Sequence, residues 1–211
     1  MFDIIIGRLI FRIGYDMIKF IFVEKLVYFL IISTLVGFLS LGGCAKYSEE
    51  VQANLIKLKT TKSCLSCDLT GIEIKDLDLK NADLSGSNLT GAHLIRVDLT
   101  ESNLTNANLT DAILVSAILT GSKLVNTNLS RVKLSYANLN GADISGSALI
   151  GATMNSSKIV NSKISNSDMT GANLYNANLT GTKITDETLK DVMLCKTIMP
   201  SGQRDNFGCK G

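Results

Sequence analysis

The sequence has no tryptophan, a single proline (Pro200) and a single histidine (His93) in 211 residues, and six of its seven phenylalanines lie at or before Phe38. Aromatic packing therefore belongs to the N-terminus. One histidine, with no nucleophile motif beside it and no Gly-rich phosphate loop ahead of a helix, leaves nothing for acid–base, nucleophilic or phosphate chemistry. His93 reads as a surface residue, and neither an enzyme activity nor a cofactor is expected. An excess of one charge is missing too: 21 Lys and Arg against 19 Asp and Glu leave +2, which favours no strongly charged partner. The length suits one domain with an appendage.

What is present begins with an address. Leu26 to Gly43 (LVYFLIISTLVGFLSLGG) carries no charge, Lys19 and Lys25 sit just upstream, and the run ends in Leu41-Gly42-Gly43-Cys44. A basic region, an apolar run and small residues at a cleavage point are the parts of a secretory signal. This one resembles a bacterial lipoprotein signal over residues 1–43, whose lipobox makes Cys44 the diacylglycerol acceptor and first mature residue. Met17 would give a more ordinary start than Met1. The resemblance implies a lipid anchor in the membrane and a place in the bacterial cell envelope, on its periplasmic side. An uncleaved signal anchor is the alternative, since about 18 apolar residues approach the length that spans a bilayer. Both readings export the rest of the chain into an oxidising compartment.

From about residue 45 the composition turns to Asn, Ser, Thr, Leu and Gly, which without a pattern would mean disorder. Stepping by five from Leu69, however, meets Leu, Ile or Met at 27 successive positions, the last being Ile184, Leu189, Leu194 and Met199. Two residues before each centre, from Ala82 to Thr182, stands only Ala, Ser, Thr or Val. Alternation along an extended chain points these small residues the same way as the centres. Two residues after the centre, Gly or Asn fills 15 of the 27 positions, and both tolerate the positive φ of a type II turn's third residue. Each unit is a very short strand followed by a corner.

Units such as Ala82-Asp83-Leu84-Ser85-Gly86, Ala107-Asn108-Leu109-Thr110-Asp111 and Ala172-Asn173-Leu174-Tyr175-Asn176 resemble the A(D/N)LXX unit of pentapeptide repeat proteins. The resemblance covers residues 67–201. It implies an all-β solenoid, a right-handed square β-helix with four units per coil, about seven coils and a length of roughly 32 Å. No centre holds Phe, so a straight, slender rod is expected.

Solenoid ends need caps. Residues 44–66 read as an anchor linker and a short capping helix, with Ser48 at its start and Val51, Leu55 and Leu58 on one face. Residues 202–211 read as the C-terminal cap, with Phe207 as its plug. Both ends resemble those of exported family members. Apart from Cys44, four cysteines remain: Cys64, Cys67, Cys195 and Cys209. With the pairs at opposite ends of a rod about 30 Å long, only Cys64 with Cys67 and Cys195 with Cys209 can bridge within one chain, and a four-cysteine zinc site is excluded. For Cys64-Leu65-Ser66-Cys67 a structural role stands ahead of a redox centre or half a metal site, because Cys67 begins a β-coil and not a helix.

Residues 20 apart share a face of such a rod. One outward column reads Asp83, Asn103, Lys123, Asp143, Lys163, Lys183, with a lysine on either side of Asp143, and another reads Asn88, Asn108, Asn128, an amide ladder. Both read as structure. Asn-Leu-Thr triplets match a glycosylation acceptor but follow from the repeat itself. Ile95, Ile113, Val115 and Ile118 replace outward polar residues and form the candidate interaction patch for a protein partner. Family members that mimic duplex DNA and act on type II topoisomerase use an acidic cytoplasmic rod. Residues 67–201 hold 11 basic and 13 acidic side chains, so that role is the remote alternative and no nucleic-acid partner is expected. The sequence thus reads as a non-enzymatic envelope lipoprotein serving as scaffold or interaction surface; a binding module for one envelope partner or polymer is the alternative.

Overall fold

The computed structural model describes residues 46–185, 187–206 and 209; the expected signal, Cys44 and Phe207 lie outside them. The chain divides into two compact units at Glu49 and Glu50, and the second holds the repeats. Helix α1, Glu49–Thr61, starts directly after Ser48 and leads into them. Val51 and Leu58 are buried, whereas Leu55 is only half-buried and Ile56 is exposed, so the apolar face is narrower than the sequence pattern predicts. Lys62 takes a left-handed φ of 52° just past the last turn, which ends the helix. The Asn54 side chain then donates to the Asp68 carbonyl at 3.0 Å, tying α1 to the first coil.

Beyond α1 the backbone forms four ladders of parallel bridges, each joining residues 20 apart. The first face runs from Ser63↔Asp83 to Lys163↔Lys183 and the second from Asp68↔Asn88 to Ala148↔Asp168. The third contains β1 (Glu73–Lys75) and β2 (His93–Ile95), paired in register Glu73↔His93, and continues to Asn173↔Met193. The fourth runs from Asp78↔Asp98 to Asn178↔Ile198. Corners recur every five residues, so most faces contribute one bridging residue per coil and only β1 and β2 extend to three.

Backbone hydrogen bonding explains the repeat grammar. In the unit 107–111, Ala107 N–H closes the preceding corner on the Leu104 carbonyl (3.0 Å), and Asn108 N–H reaches back one coil to Ser87 (2.9 Å). Leu109 and Asp111 reach forward to Asn128 and Ser130 at 2.7 and 3.0 Å. Thr110 N–H has no backbone acceptor left, and Asn108 Oδ1 takes it at 3.1 Å. All thirteen Asp and Asn residues placed just before a centre, from Asp68 to Asn178, accept from the N–H two residues on. A following Thr or Ser often donates its hydroxyl to the same oxygen, as Thr100 does to Asp98 at 2.6 Å. This Asx turn is the physical origin of the Asn-Leu-Thr triplets.

The corners carry the conformational load. From Gly71 to Gly181 every residue two after a centre has φ between 55° and 71°, whether Gly, Asn or a residue as large as Arg96 or Tyr136. At Gly146 a Cβ would also meet the tip of the Asn126 side chain in the preceding coil, which must turn aside to admit it.

Inside, the centres from Leu69 to Leu179 are buried, with the small column packed beside them. Each fully buried Leu contributes roughly 1.5–3 kcal/mol. Hydroxyls in the small column find acceptors: Thr127 and Ser167 donate to carbonyls one coil back, Leu104 and Ile144, both at 2.8 Å. Ser147 bonds Leu124 O and in turn accepts Thr127 N–H, so Thr127, Ser147 and Ser167 form a buried relay along the axis.

The last coil departs from the pattern. A 3₁₀ turn at Glu187–Leu189 interrupts the second face, and Ile184 and Met199 are only half-buried although Leu189 and Leu194 remain in the core. Strand β3 (Thr197–Ile198) then pairs antiparallel with β4 (Arg204–Asp205), Thr197 opposite Asp205. The returning strand covers a ladder edge that would otherwise template pairing.

Candidate functional site

The cysteines form two local disulfides. Cys64 bonds Cys67 with Cα atoms 5.4 Å apart, and Cys195 bonds Cys209 at 4.8 Å. Cys64 and Cys67 are buried between α1 and the first coil, while Cys195 is buried in the last. Among the described residues, no group of His, Cys, Asp and Glu is arranged to hold a metal ion. His93 is half-exposed in β2, between Glu73 and Ile113 in the third ladder.

The charged column of the first face is in register as expected, and Asp143 pairs with Lys163 at 3.3 Å. Asp143 is held below the ordinary carboxylate range: burial opposes the shift, but the Ser145 hydroxyl and N–H and the Lys163 ammonium outweigh it. Asn88, Asn108 and Asn128 are in register too, yet their side-chain oxygens turn to the N–H groups of Thr90, Thr110 and Ser130 within their own units. The ladder there is a backbone one. Two bidentate pairs lie outside the sequence reading: Arg96 on Asp76 (both contacts 2.6 Å) and Arg131 on Asp111 (both 2.7 Å). Each joins corner residues 20 apart, and the arginine lowers its partner's pKa chiefly through those hydrogen bonds.

Of the four patch residues, three share the third face. Ile113 bridges His93 and Lys133, and Val115 follows Ile95 by one coil, with Arg96 N–H bonded to the Val115 carbonyl at 3.1 Å. Ile118 lies round the corner in the fourth ladder and is 38% exposed, whereas Ile95, Ile113 and Val115 are half-buried. Ile113 and Ile118 occupy the Asx position and offer no acceptor to the N–H two residues on. Sequence reasoning misses Tyr136, which is 67% exposed at the corner closing the third face, one coil beyond Ser116, and it misses Tyr175 and Met193 on the same face. Their positions in the period of five, counted modulo 20, are the signal that finds them. Lys196 Nζ lies 5.4 Å above the Tyr175 ring and donates to its hydroxyl at 3.1 Å.

A cavity of about 360 Å³ opens where the 3₁₀ turn breaks the second ladder. Asn166, Asp168, Thr170, Thr185, Glu187 and Asp191 line it, and Gly171 N–H reaches past the break to the Asp191 carbonyl at 3.0 Å.

A family model for pentapeptide repeats, present in eight copies, matches residues 78–114, 112–149 and 147–186. A comparison with curated proteins finds no match. Among solved structures the chain is similar to the pentapeptide repeat protein Rfr23 from the cyanobacterium Cyanothece 51142, with 26% identity, coverage of 67% of this chain and 97% of that one, and a TM-score of 0.43. It is also similar to a pentapeptide repeat protein from the Arabidopsis thaliana thylakoid lumen (22% identity, 56% and 71% coverage, TM-score 0.36). QnrB1, a plasmid-mediated fluoroquinolone resistance protein, shares 14% identity over 69% of this chain and 80% of its own, with a TM-score of 0.36. The five-residue units, their 20-residue ladders and the family model agree: the chain belongs to the pentapeptide repeat family, whose members form right-handed quadrilateral β-helices.

Proposed function

We propose that the protein is a non-enzymatic, lipid-anchored protein of the bacterial cell envelope whose coil stack acts as a scaffold and interaction surface. The observation that carries this reading is the cysteine accounting. Four of the five cysteines are paired, one disulfide near each end of the stack, as befits an oxidising compartment, and the fifth is Cys44 of the Leu-Gly-Gly-Cys box. Helix α1 and the hairpin β3–β4 serve as the caps of about seven coils. A Cys44→Ala variant tests the anchor. A larger apparent mass, reporting the unprocessed signal, is expected; unchanged partitioning and mass refute the reading.

A second reading, a binding module for one envelope partner, draws support from Ile113 and Ile118. Both replace an Asx cap, so the solenoid forgoes a hydrogen bond where it displays apolar side chains, and local rules are broken most often at functional positions. Topoisomerase modulation by DNA mimicry draws little support from the charges: Asp76, Asp78, Asp98, Asp111 and Asp143 are each engaged by an Arg or Lys.

A further inference from the structure

The four faces are not equivalent. With each face taken as the residues before and after its centres plus the corner that closes it, the first holds, among the described residues, Asp83 and Asp143 beyond the first coil. By the same count the second holds Asp111, Asp168 and Asp191, and the fourth Asp98 and Glu101. Among the described residues the third face beyond that coil has no carboxylate. It carries Arg96, Lys133 and Lys196 instead, and His93 besides. The same face gathers Ile95, Ile113 and Val115 with three of the seven exposed large apolar side chains among the described residues, Tyr136, Tyr175 and Met193. These residues are spread from the second coil to the last, a stripe running along the stack and not a compact pocket. Apolar and tyrosine side chains interleaved with cations are the composition of a surface that lies in a membrane interface, the cations facing anionic headgroups.

We infer that the third face lies against the surface of an anionic bilayer. The inference rests on the envelope reading and names a lipid surface as the partner of that face. Chain length agrees with it. Four residues separate Cys44 from Glu49, and the five extended steps between them reach only about 17 Å, so a lipidated Cys44 keeps the stack at the membrane. Arg96 is held by Asp76, Lys133 lies in the field of Asp111 at the edge of the face, and the first coil adds Glu73 and Lys75, so four cations face three acids and the full attraction falls to Lys196.

The absence of tryptophan from the sequence supplies a clean probe. Full-length chains carrying Tyr136→Trp or Tyr175→Trp on the third face, or Ile150→Trp on the second, are reconstituted into vesicles of phosphatidylcholine with phosphatidylglycerol, with and without brominated acyl chains. Roughly twofold quenching is expected at positions 136 and 175 and little at 150, with the quenching reduced by high salt and by Lys133→Glu with Lys196→Glu. Equal quenching at all three positions, or none at 136 and 175 in chains that co-float with the vesicles, overturns the inference. Shielding of 136 from an aqueous quencher without lipid quenching would do so as well, by placing a protein or a second copy on the face. Processing of the Cys44→Ala chain separates the two claims. If its apparent mass equals the parent's while 136 is still quenched, the anchor reading fails alone; if the parent does not float, both fail.

Discussion

Replacing Asp98 by alanine removes three interactions at once: the Thr100 N–H at 3.0 Å, the Thr100 hydroxyl at 2.6 Å and the Lys80 ammonium at 3.2 Å. The Asp98 side chain is 21% exposed, so solvent compensates only in part. Two hydrogen bonds at about 1 kcal/mol each, plus at most about 1 kcal/mol for the surface ion pair, give an expected loss of about 2–3 kcal/mol. Asparagine keeps the acceptor oxygen and the Asx turn, so Asp98→Asn should cost only about 0.5 kcal/mol. Urea unfolding of both variants, with unchanged slope, is the assay. The reasoning fails if alanine and asparagine cost the same, or if alanine lies within about 0.5 kcal/mol of the parent. Acid adds a second readout. Burial pushes the Asp98 pKa up, but the Thr100 hydroxyl and N–H and Lys80 push it down further, and the net shift is downward. A carboxyl depressed in the folded state contributes stability above its unfolded pKa and loses it as pH falls through the folded one. Below about pH 4 the parent should therefore lose stability faster than Asp98→Asn.

Gly141→Ala and Gly146→Ala should each cost about 1 kcal/mol in thermal melts, the left-handed backbone cost they share, because a Cβ at the first has nothing within 4 Å and at the second meets only the tip of the Asn126 side chain, which can turn aside. Leu119→Ala, at a fully buried centre with coils on both sides, should cost about 3–5 kcal/mol in the same unfolding assay. Paired Cys195→Ser and Cys209→Ser should lower stability by about 3 kcal/mol and raise hydrogen exchange in β3 and β4 before the earlier coils, since the bond closes a 14-residue separation at the end of the stack.

Much of the architecture is legible residue by residue because each unit's requirements are local. Leu109 must point inward, Ala107 must be small beside it, and Asp111 must accept a left-handed φ of 59°. The Asx column reads as solvated surface, and its real task, capping the one N–H the ladders leave over, becomes visible only when the other four are traced. The last coil resists the pattern. Ile184 and Met199 keep the period, but the 3₁₀ turn at Glu187–Leu189 and the return of β4 alter what covers them.

Sequence alone determined the period of five, the inward aliphatic column and the corner residues, because these follow from backbone alternation and φ preferences. Only the closed coil decided which residues 20 apart would meet: Asp76 with Arg96, Asp111 with Arg131, and Tyr136 with the stripe of the third face. A five-residue period fixes where the chain turns but not how many turns close a coil. That number, set by the corner angles and the stacking of whole coils, assigns every outward side chain its neighbours.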